Sequence, residues 1–392
     1  MTQRLVFQVA HGAIIAPARE VGNGLLTPSL GRSNMPLGGE RLLTPDSWLL
    51  FPREVLAAMR YPIRSSLLSR TSWHLSLALA TVLAATPPAA VTAQDDEAGL
   101  TPEDELPAPK DLVLETSDGV HIVCTYYPGD GVRGHDTVPI IMVHGEKENR
   151  HEFQSLAIYL QRRHHALIAL DLRGHGDSTR TNNPNFKLDA EKMTLDQYML
   201  MSAVKIDEFG VKGDLEKAKN FLLTEHDAER LNIYKLCLIG SEMGCIVAMN
   251  WATIDWEIPS SNTVMQGQRV KAIVLLSPKE RYKNLRASDS YKSTAMRRWI
   301  SFYIAVGASE EARLKEAEKI DKALKRDRQN PANPEDQMVF FNRKLDTRLQ
   351  GTQLLGEGLH VEKQIAEFID LRVEQLQIPW KRRKNPLKEG AG

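Results

Sequence analysis

The chain reads as an α/β protein built on a mostly parallel, doubly wound sheet with an antiparallel hairpin at its N-terminal edge. Three observations predict this. Apolar runs of strand length recur from residue 138 onward, continuous rather than alternating, as strands buried on both faces require. Segments with helical spacing separate them, which is the β-α-β order of a parallel sheet. Ahead of both lies a pair of β-rich runs around Asp118-Gly119, a strong hairpin signal.

Composition sets the outer limits. The 392 residues are 42% hydrophobic, with 50 Lys+Arg balancing 50 Asp+Glu. That suits a globular chain of one or two domains. Residues 1–93 hold 8 Lys/Arg and 4 Asp/Glu, leaving 42 and 46 for the remainder. Nucleic acid is therefore not an expected partner. The three cysteines, Cys124, Cys237 and Cys245, fit no zinc or CxxC spacing. They read as small core residues rather than a disulfide framework.

Taken in order, residues 1–58 are rich in Gly, Pro and Leu without sustained periodicity, and read as a mis-called start or a disordered stretch. Residues 59–93 have the pattern of a secretory signal starting at Met59. Arg60, Arg64 and Arg70 form a positive start, "LSLALATVLAA" (75–85) an apolar centre, and "VTA" (91–93) a small-residue cleavage site before Gln94. The apolar run is shorter than the roughly 20 residues of a membrane span, so no stable span is expected after cleavage. The expected location is periplasmic or extracellular. Residues 94–110, acidic and punctuated by proline, read as a flexible leader.

The folded domain is expected over 111–378. "LVLETSDGVHIVCTYY" (112–127) is the hairpin, and "VPIIMVHG" (138–145) the first buried parallel strand. "EFQSLAIYLQRR" (152–163) has helical spacing and "HALIALDLRG" (165–174) is a second buried strand. Residues 179–213 are polar and irregular, a small cap or a long loop. "DLEKAKNFLLTEH" (214–226) is an amphipathic helix. "YKLCLIG" (234–240) is a strand, and a helix of small and apolar residues runs from Gly244 to Ile254. "VKAIVLLSP" (270–278) and "ISFYIAVGA" (300–308) are further buried strands. The helix "EEARLKEAEKIDKALKR" (310–326) leads to "MVFFNRKL" (338–345). The last helix, Val361 to Val373, puts Val361, Ile365, Phe368 and Ile369 on one face. The basic tail 379–392, with "KRRK" at 381–384, reads as solvated.

One turn carries the chemical question. "LCLIGSEMGC" (236–245) is a strand entry, then Gly-Ser-Glu-Met-Gly, then a helix start. Together with "HG" at 144–145, "DLRGHGDS" at 171–178, "VGASEE" at 306–311 and "GEGLHVEKQIAEF" at 356–368, in this order, it resembles the α/β-hydrolase family. The resemblance covers about 111–378. It implies a nucleophile elbow at 240–244, an acid at Glu310 and a catalytic histidine at His360. It also implies an oxyanion hole made by the N–H groups of Glu146 and Met243.

The departure is Glu242, where that family carries Ser, Cys or Asp. Ser241 sits one place too early, so its side chain points away from the site. A carboxylate at 242 lies at a helix N-terminus, which favours negative charge, so it fills the place of a forming oxyanion. His360 beside it is expected to be held as an imidazolium. Three readings stay open. The first is an exported pseudoenzyme that binds a small molecule in the hydrolase cleft or acts as a scaffold. The second is an active hydrolase with Glu242 as carboxylate nucleophile on an ester, epoxide or haloalkane. Glu is one methylene longer than the family's Asp, and a misplacement of about 1 Å can cost on the order of 100-fold. That reading also needs a leaving-group donor, for which Tyr198 is available. The third is a structural or interaction protein. No cofactor and no metal site is expected, because His164, His165 and His226 lack metal-ligand spacing. His144 and His175 read as loop histidines, Asp171 and Arg173 as an ion pair bracing their loop. The sequence carries no sign of oligomeric state.

Overall fold

A computed structural model describes residues 106–202, 204–206, 210–258, 267–328, 336–356 and 358–383. The early start, the signal segment, the leader up to 105 and the tail from 384 lie outside the described residues. The hairpin is β1 (Lys110–Glu115) and β2 (His121–Tyr127), paired antiparallel from Lys110↔Tyr126 to Glu115↔His121. Its turn closes through Gly119 N–H to Thr116 O, with Gly119 at φ 80, a conformation that glycine adopts without strain.

The next strands are β3 (Pro139–Val143) and β4 (Ala166–Leu170), with helix α1 (Gln154–Gln161) between them. The segment read as a cap or loop holds α2 (Leu195–Ser202) and a short hairpin, β5 (Val204–Ile206) with β6 (Gly210–Lys212). Then come α3 (Asp214–Asp227), β7 (Leu236–Ser241), α4 (Met243–Glu257) and β8 (Val270–Leu276). Four small elements follow that periodicity does not announce: β9 (Arg281–Tyr282), β10 (Leu285–Arg286), α5 (Ala287–Tyr291) and α6 (Thr294–Arg298). The chain ends through β11 (Ser301–Ala305), α7 (Glu311–Lys325), β12 (Val339–Asn342) and α8 (Val361–Ile369).

The main sheet has eight strands in the order β1-β2-β4-β3-β7-β8-β11-β12. Only the β1–β2 and β2–β4 pairs are antiparallel; the other five are parallel. Every residue of β3, β4, β7 and β11 is buried, because helices cover both faces. The two-residue period of a strand splits each run between two cores. Ile141, Ile168, Leu238, Ile273 and Phe302 join one with α3, α4 and α7. Ile140, Leu167, Ile239, Val274 and Tyr303 join the other with α1 and α8. All four residues of the α8 face, Val361, Ile365, Phe368 and Ile369, are buried. Each such burial contributes about 1.5–3 kcal/mol, which outweighs the marginal stability of a nine-residue helix alone.

Cys124, Cys237 and Cys245 are free and buried, as a core role requires. One expectation is corrected. Asp171 and Arg173 do not pair with each other. Arg150 reaches Asp171 at 2.5 Å, and Arg173 reaches Asp214 and Asp118 at 2.7 Å each. Each charge finds its partner on another segment that the sheet order brings alongside. The start of the basic tail contacts the end of α3 while Lys381 and Arg382 stay exposed. Trp380 Nε1 donates to His226 O, and Arg382 and Arg383 pair with Glu229 and Asp227 at the end of α3. Among the described residues, no helix is long and apolar enough to cross a membrane.

Candidate functional site

The elbow is in place. β7 ends at Ser241, α4 begins at Met243, and Glu242 between them has φ 45 and ψ −106. A non-glycine residue so held costs about 1–3 kcal/mol and persists only where the surroundings dictate it. The two glycines of the motif dictate it. A Cβ on Gly240 would stand 2.7 Å from the backbone of Cys245, and one on Gly244 would stand 2.3 Å from Val143 O. Helix α4 can come this close behind β7 and β3 only because both side chains are absent.

The Glu242 carboxylate is gripped by two cations. Lys279, just past β8, meets Oε2 at 2.8 Å, and Arg313, in the first turn of α7, meets Oε1 at 2.7 Å. Lys279 lies 3.6 Å from Glu146, and Arg313 Nε lies 3.9 Å from Glu310. A line of alternating charge thus runs Glu310, Arg313, Glu242, Lys279, Glu146 across the C-terminal ends of the strands. This replaces the expected pairing of Glu242 with an imidazolium. The side chain of His360 is exposed and makes no hydrogen bond or ion pair with a described residue. The residue itself caps α8 in the left-handed conformation, φ 54. Glu310 is half exposed at the N-cap of α7, with Arg313 as its ionic neighbour.

What abuts the elbow from the loop after β12 is Gln350-Gly351. A Cβ on Gly351 would lie 2.6 Å from Ser241 Oγ and 3.2 Å from Glu242 Cγ. Gln350 accepts from Ser277 Oγ at 2.7 Å and donates to Gly307 O at 3.0 Å, while Gly351 N–H donates to the same serine at 2.8 Å. Both ends of the Gln350 amide are therefore engaged, and this side chain has no proton-accepting nitrogen to offer. Sequence reasoning passed over this residue. The available signal was the Gly after Gln350, seven residues closer to β12 than the start of the GLHV motif.

Ser241 Oγ is fully buried without a hydrogen-bond partner among the described residues, turned toward Gly351 and Gly145. That is the outcome of its one-place offset. Beside it, Glu148 accepts from Gly145 N–H at 2.6 Å and from Thr352 Oγ1 at 2.9 Å, tying the loop after β3 to the loop after β12. Of the two positions expected to form an oxyanion hole, Met243 is the first residue of α4, whose N–H has no acceptor within the helix. Glu146 sends its side chain to Lys279.

The neighbouring histidines brace loops. His144 is fully buried; its Nε2 accepts from Leu172 N–H at 3.0 Å, so Nδ1 carries the proton donated to Gly145 O at 2.7 Å. Burial, with His175 alongside, lowers its pKa to about 4. His175 binds Arg173 O, and burial lowers it too. The Tyr198 hydroxyl is spent on Ala190 O, so Tyr198 is not free as a leaving-group donor. A cleft of about 710 Å³ opens between the loops after β3 and β4 and the β9 segment, lined by Glu146, Glu148, His175, Glu191, Tyr282 and Lys283 among others.

The chain matches the family model described as alpha/beta hydrolase fold over residues 138–347, more than half its length, and it belongs to that family. Among solved structures it is similar to an esterase from Pyrococcus furiosus. The identity is 15%, over 68% of this chain and 92% of that one, with a TM-score of 0.47. It is also similar to a fungal esterase from Rhizomucor miehei, at 13% identity over 68% and 84%, with a TM-score of 0.47. A dienelactone hydrolase from Anabaena variabilis aligns at 15% identity over 68% and 99%, with a TM-score of 0.41. No curated protein matches the sequence.

Proposed function

We propose that this α/β-hydrolase-fold chain is exported and has given up serine-hydrolase chemistry, keeping its cleft to bind a small polar molecule. The observation that carries this reading is the Glu242 carboxylate held at 2.7 and 2.8 Å by Arg313 and Lys279. Acyl transfer needs a nucleophile, a base to take its proton and donors for the oxyanion. Here an ion-paired carboxylate stands at the nucleophile position, and an amide approaches from the loop after β12. An attack by Glu242 itself would require it to leave both cations, which stabilise the carboxylate against reacting. The cleft volume falls in the range of small-molecule sites, and its carboxylate, imidazole, ammonium and phenol groups favour a polar ligand over an acyl chain.

A fluorophosphonate probe and short-chain nitrophenyl esters test the reading on the purified protein. We expect no labelling and no turnover above buffer. Ester hydrolysis that disappears in Glu242→Ala, or a covalent adduct on Glu242 after exposure to an epoxide or haloalkane, would overturn it. Export rests on the Met59–Ala93 pattern. N-terminal sequencing of the protein from its native host should begin at Gln94, and a start upstream of Met59 would refute the signal.

A further inference from the structure

At the other end of the sheet, ahead of β4, lies a group of side chains that the cleft does not use. His165 is fully buried, and neither ring nitrogen has a hydrogen-bond partner among the described residues. Leaving such a group unsatisfied costs about 1–3 kcal/mol, so an unpartnered imidazole in a core asks for a ligand. Its Nε2 faces Asp370 Oδ1 at 3.8 Å, too far for a hydrogen bond. After α8 the chain makes a π-turn over Asp370–Glu374, and that turn brings the Glu374 carboxylate to the same point. One donor atom from each of His165, Asp370 and Glu374 lies within 4.8 Å of the others.

We propose that His165, Asp370 and Glu374 form a binding site for a divalent cation of the zinc type. One imidazole nitrogen and two carboxylate oxygens suit zinc, whereas an all-oxygen set would suit calcium or magnesium. Zinc holds such ligands at about 2.0–2.2 Å, so the three atoms need to close by about 1 Å around the ion. The outer side of each carboxylate is already braced. Arg163 donates to Asp370 Oδ2 at 2.7 Å, and Arg133 meets Glu374 Oε2 at 2.5 Å. Each acid thereby keeps one oxygen for the ion while a guanidinium orients the other, the arrangement by which outer partners fix metal ligands. A solvent-reached cleft of about 400 Å³, lined by Arg133, Arg162, His164 and Gln375 with both acids, gives the ion a route in and a water a place in the fourth position. The site stands at the N-terminal end of β4, whereas the elbow stands at the C-terminal ends of the strands. Its role is to fasten the end of α8 to the sheet. The 204 residues between His165 and Asp370 hide it from any reading of local spacing.

The test uses the full chain, without a histidine tag, stripped with EDTA and titrated with zinc chloride by calorimetry. The expected result is one Zn²⁺ per chain with a higher Tm. Asp370→Asn and Glu374→Gln should each weaken binding at least tenfold, while His360→Ala, an exposed histidine elsewhere, should leave it unchanged. Cobalt(II) added to the unaltered chain should give the visible bands of a low-symmetry nitrogen-oxygen site, a readout that needs no variant. Absence of stoichiometric zinc uptake, or uptake indifferent to both substitutions, would overturn the proposal. So would cobalt spectra of the free aqueous ion. In either case Arg133–Glu374 and Arg163–Asp370 would be a plain ionic clasp.

Discussion

Replacing Glu242 by Gln keeps the size of the side chain and removes its charge, leaving Lys279 and Arg313 facing a neutral amide. The consequence can be worked from the geometry. The side chains of Glu242, Lys279 and Arg313 are 16%, 15% and 20% exposed, so these are not the surface pairs that contribute about 0–1 kcal/mol. Nor are they sealed from water. Removing one partner of a buried pair costs about 3–5 kcal/mol, and residual solvent at both cations trims that to about 2–3 kcal/mol here. For a domain of this size, each 1 kcal/mol moves Tm by about 2–4 °C, giving a fall of about 4–12 °C. Urea unfolding and calorimetry of Glu242→Gln beside the parent would measure it. A double-mutant cycle with Arg313→Met should show a coupling of about 1–2 kcal/mol. Glu242→Gly is the necessary comparison, because it relieves backbone strain as well as removing the charge. If Gln is within about 0.5 kcal/mol of the parent and Gly is more stable than both, conformational strain governs position 242. The ionic grip would then contribute nothing.

Three further outcomes follow from the same structure. Glu242→Ser alone should stay dark to a fluorophosphonate probe, because Gln350 accepts no proton, whereas Glu242→Ser with Gln350→His should label; labelling of the single variant would show that a base already reaches the elbow. Gly244→Ala should cost several kcal/mol or abolish folding, since its Cβ would lie 2.3 Å from Val143 O; a thermal scan within a degree of the parent would refute the close-approach argument. The pH dependence has a definite sign. The buried His144 titrates at about 4 when folded and near 6.5 when unfolded. The unfolded chain therefore binds the proton first, and the stability contributed by the neutral ring is lost as pH falls from about 6.5 to 4. The loss reaches about 3 kcal/mol. Denaturation series at pH 7 and 4.5 should reveal it, and His144→Gln should flatten the slope.

How much of this was legible depended on whether the determinant was local. Strands β3, β4, β7, β8 and β11 were readable because burial on both faces leaves each run almost wholly apolar. The α8 face was readable because its four apolar residues keep helical spacing to the end. The pieces between 281 and 298 were not, since two-residue strands and five-residue helices are too short to show a period. The elbow was legible through Gly240 and Gly244, whose absent side chains are a local necessity. The charge state around it was not, because Lys279 and Arg313 arrive from two other loops that only the sheet order brings together. His360 drew attention by its motif, while Gln350, which closes on Ser277 and Gly307, had no local mark beyond its following glycine. Asp171 and Arg173 failed as a pair for the same reason: their partners, Arg150 and Asp214, are set by topology.

The docking of Trp380 and its neighbours gives the carboxyl end of the domain a defined seam. Both ring nitrogens of His226 meet backbone carbonyls, Nδ1 at 3.1 Å from Leu231 O and Nε2 at 3.0 Å from Lys381 O, while the Trp380 ring rests 5.2 Å from the imidazole. A nuclease-style trimming of the gene that stops short of codon 380 would uncover a dry histidine and strip two arginines from the end of α3. Anyone shortening this polypeptide for crystallisation should therefore keep Trp380 through Arg383.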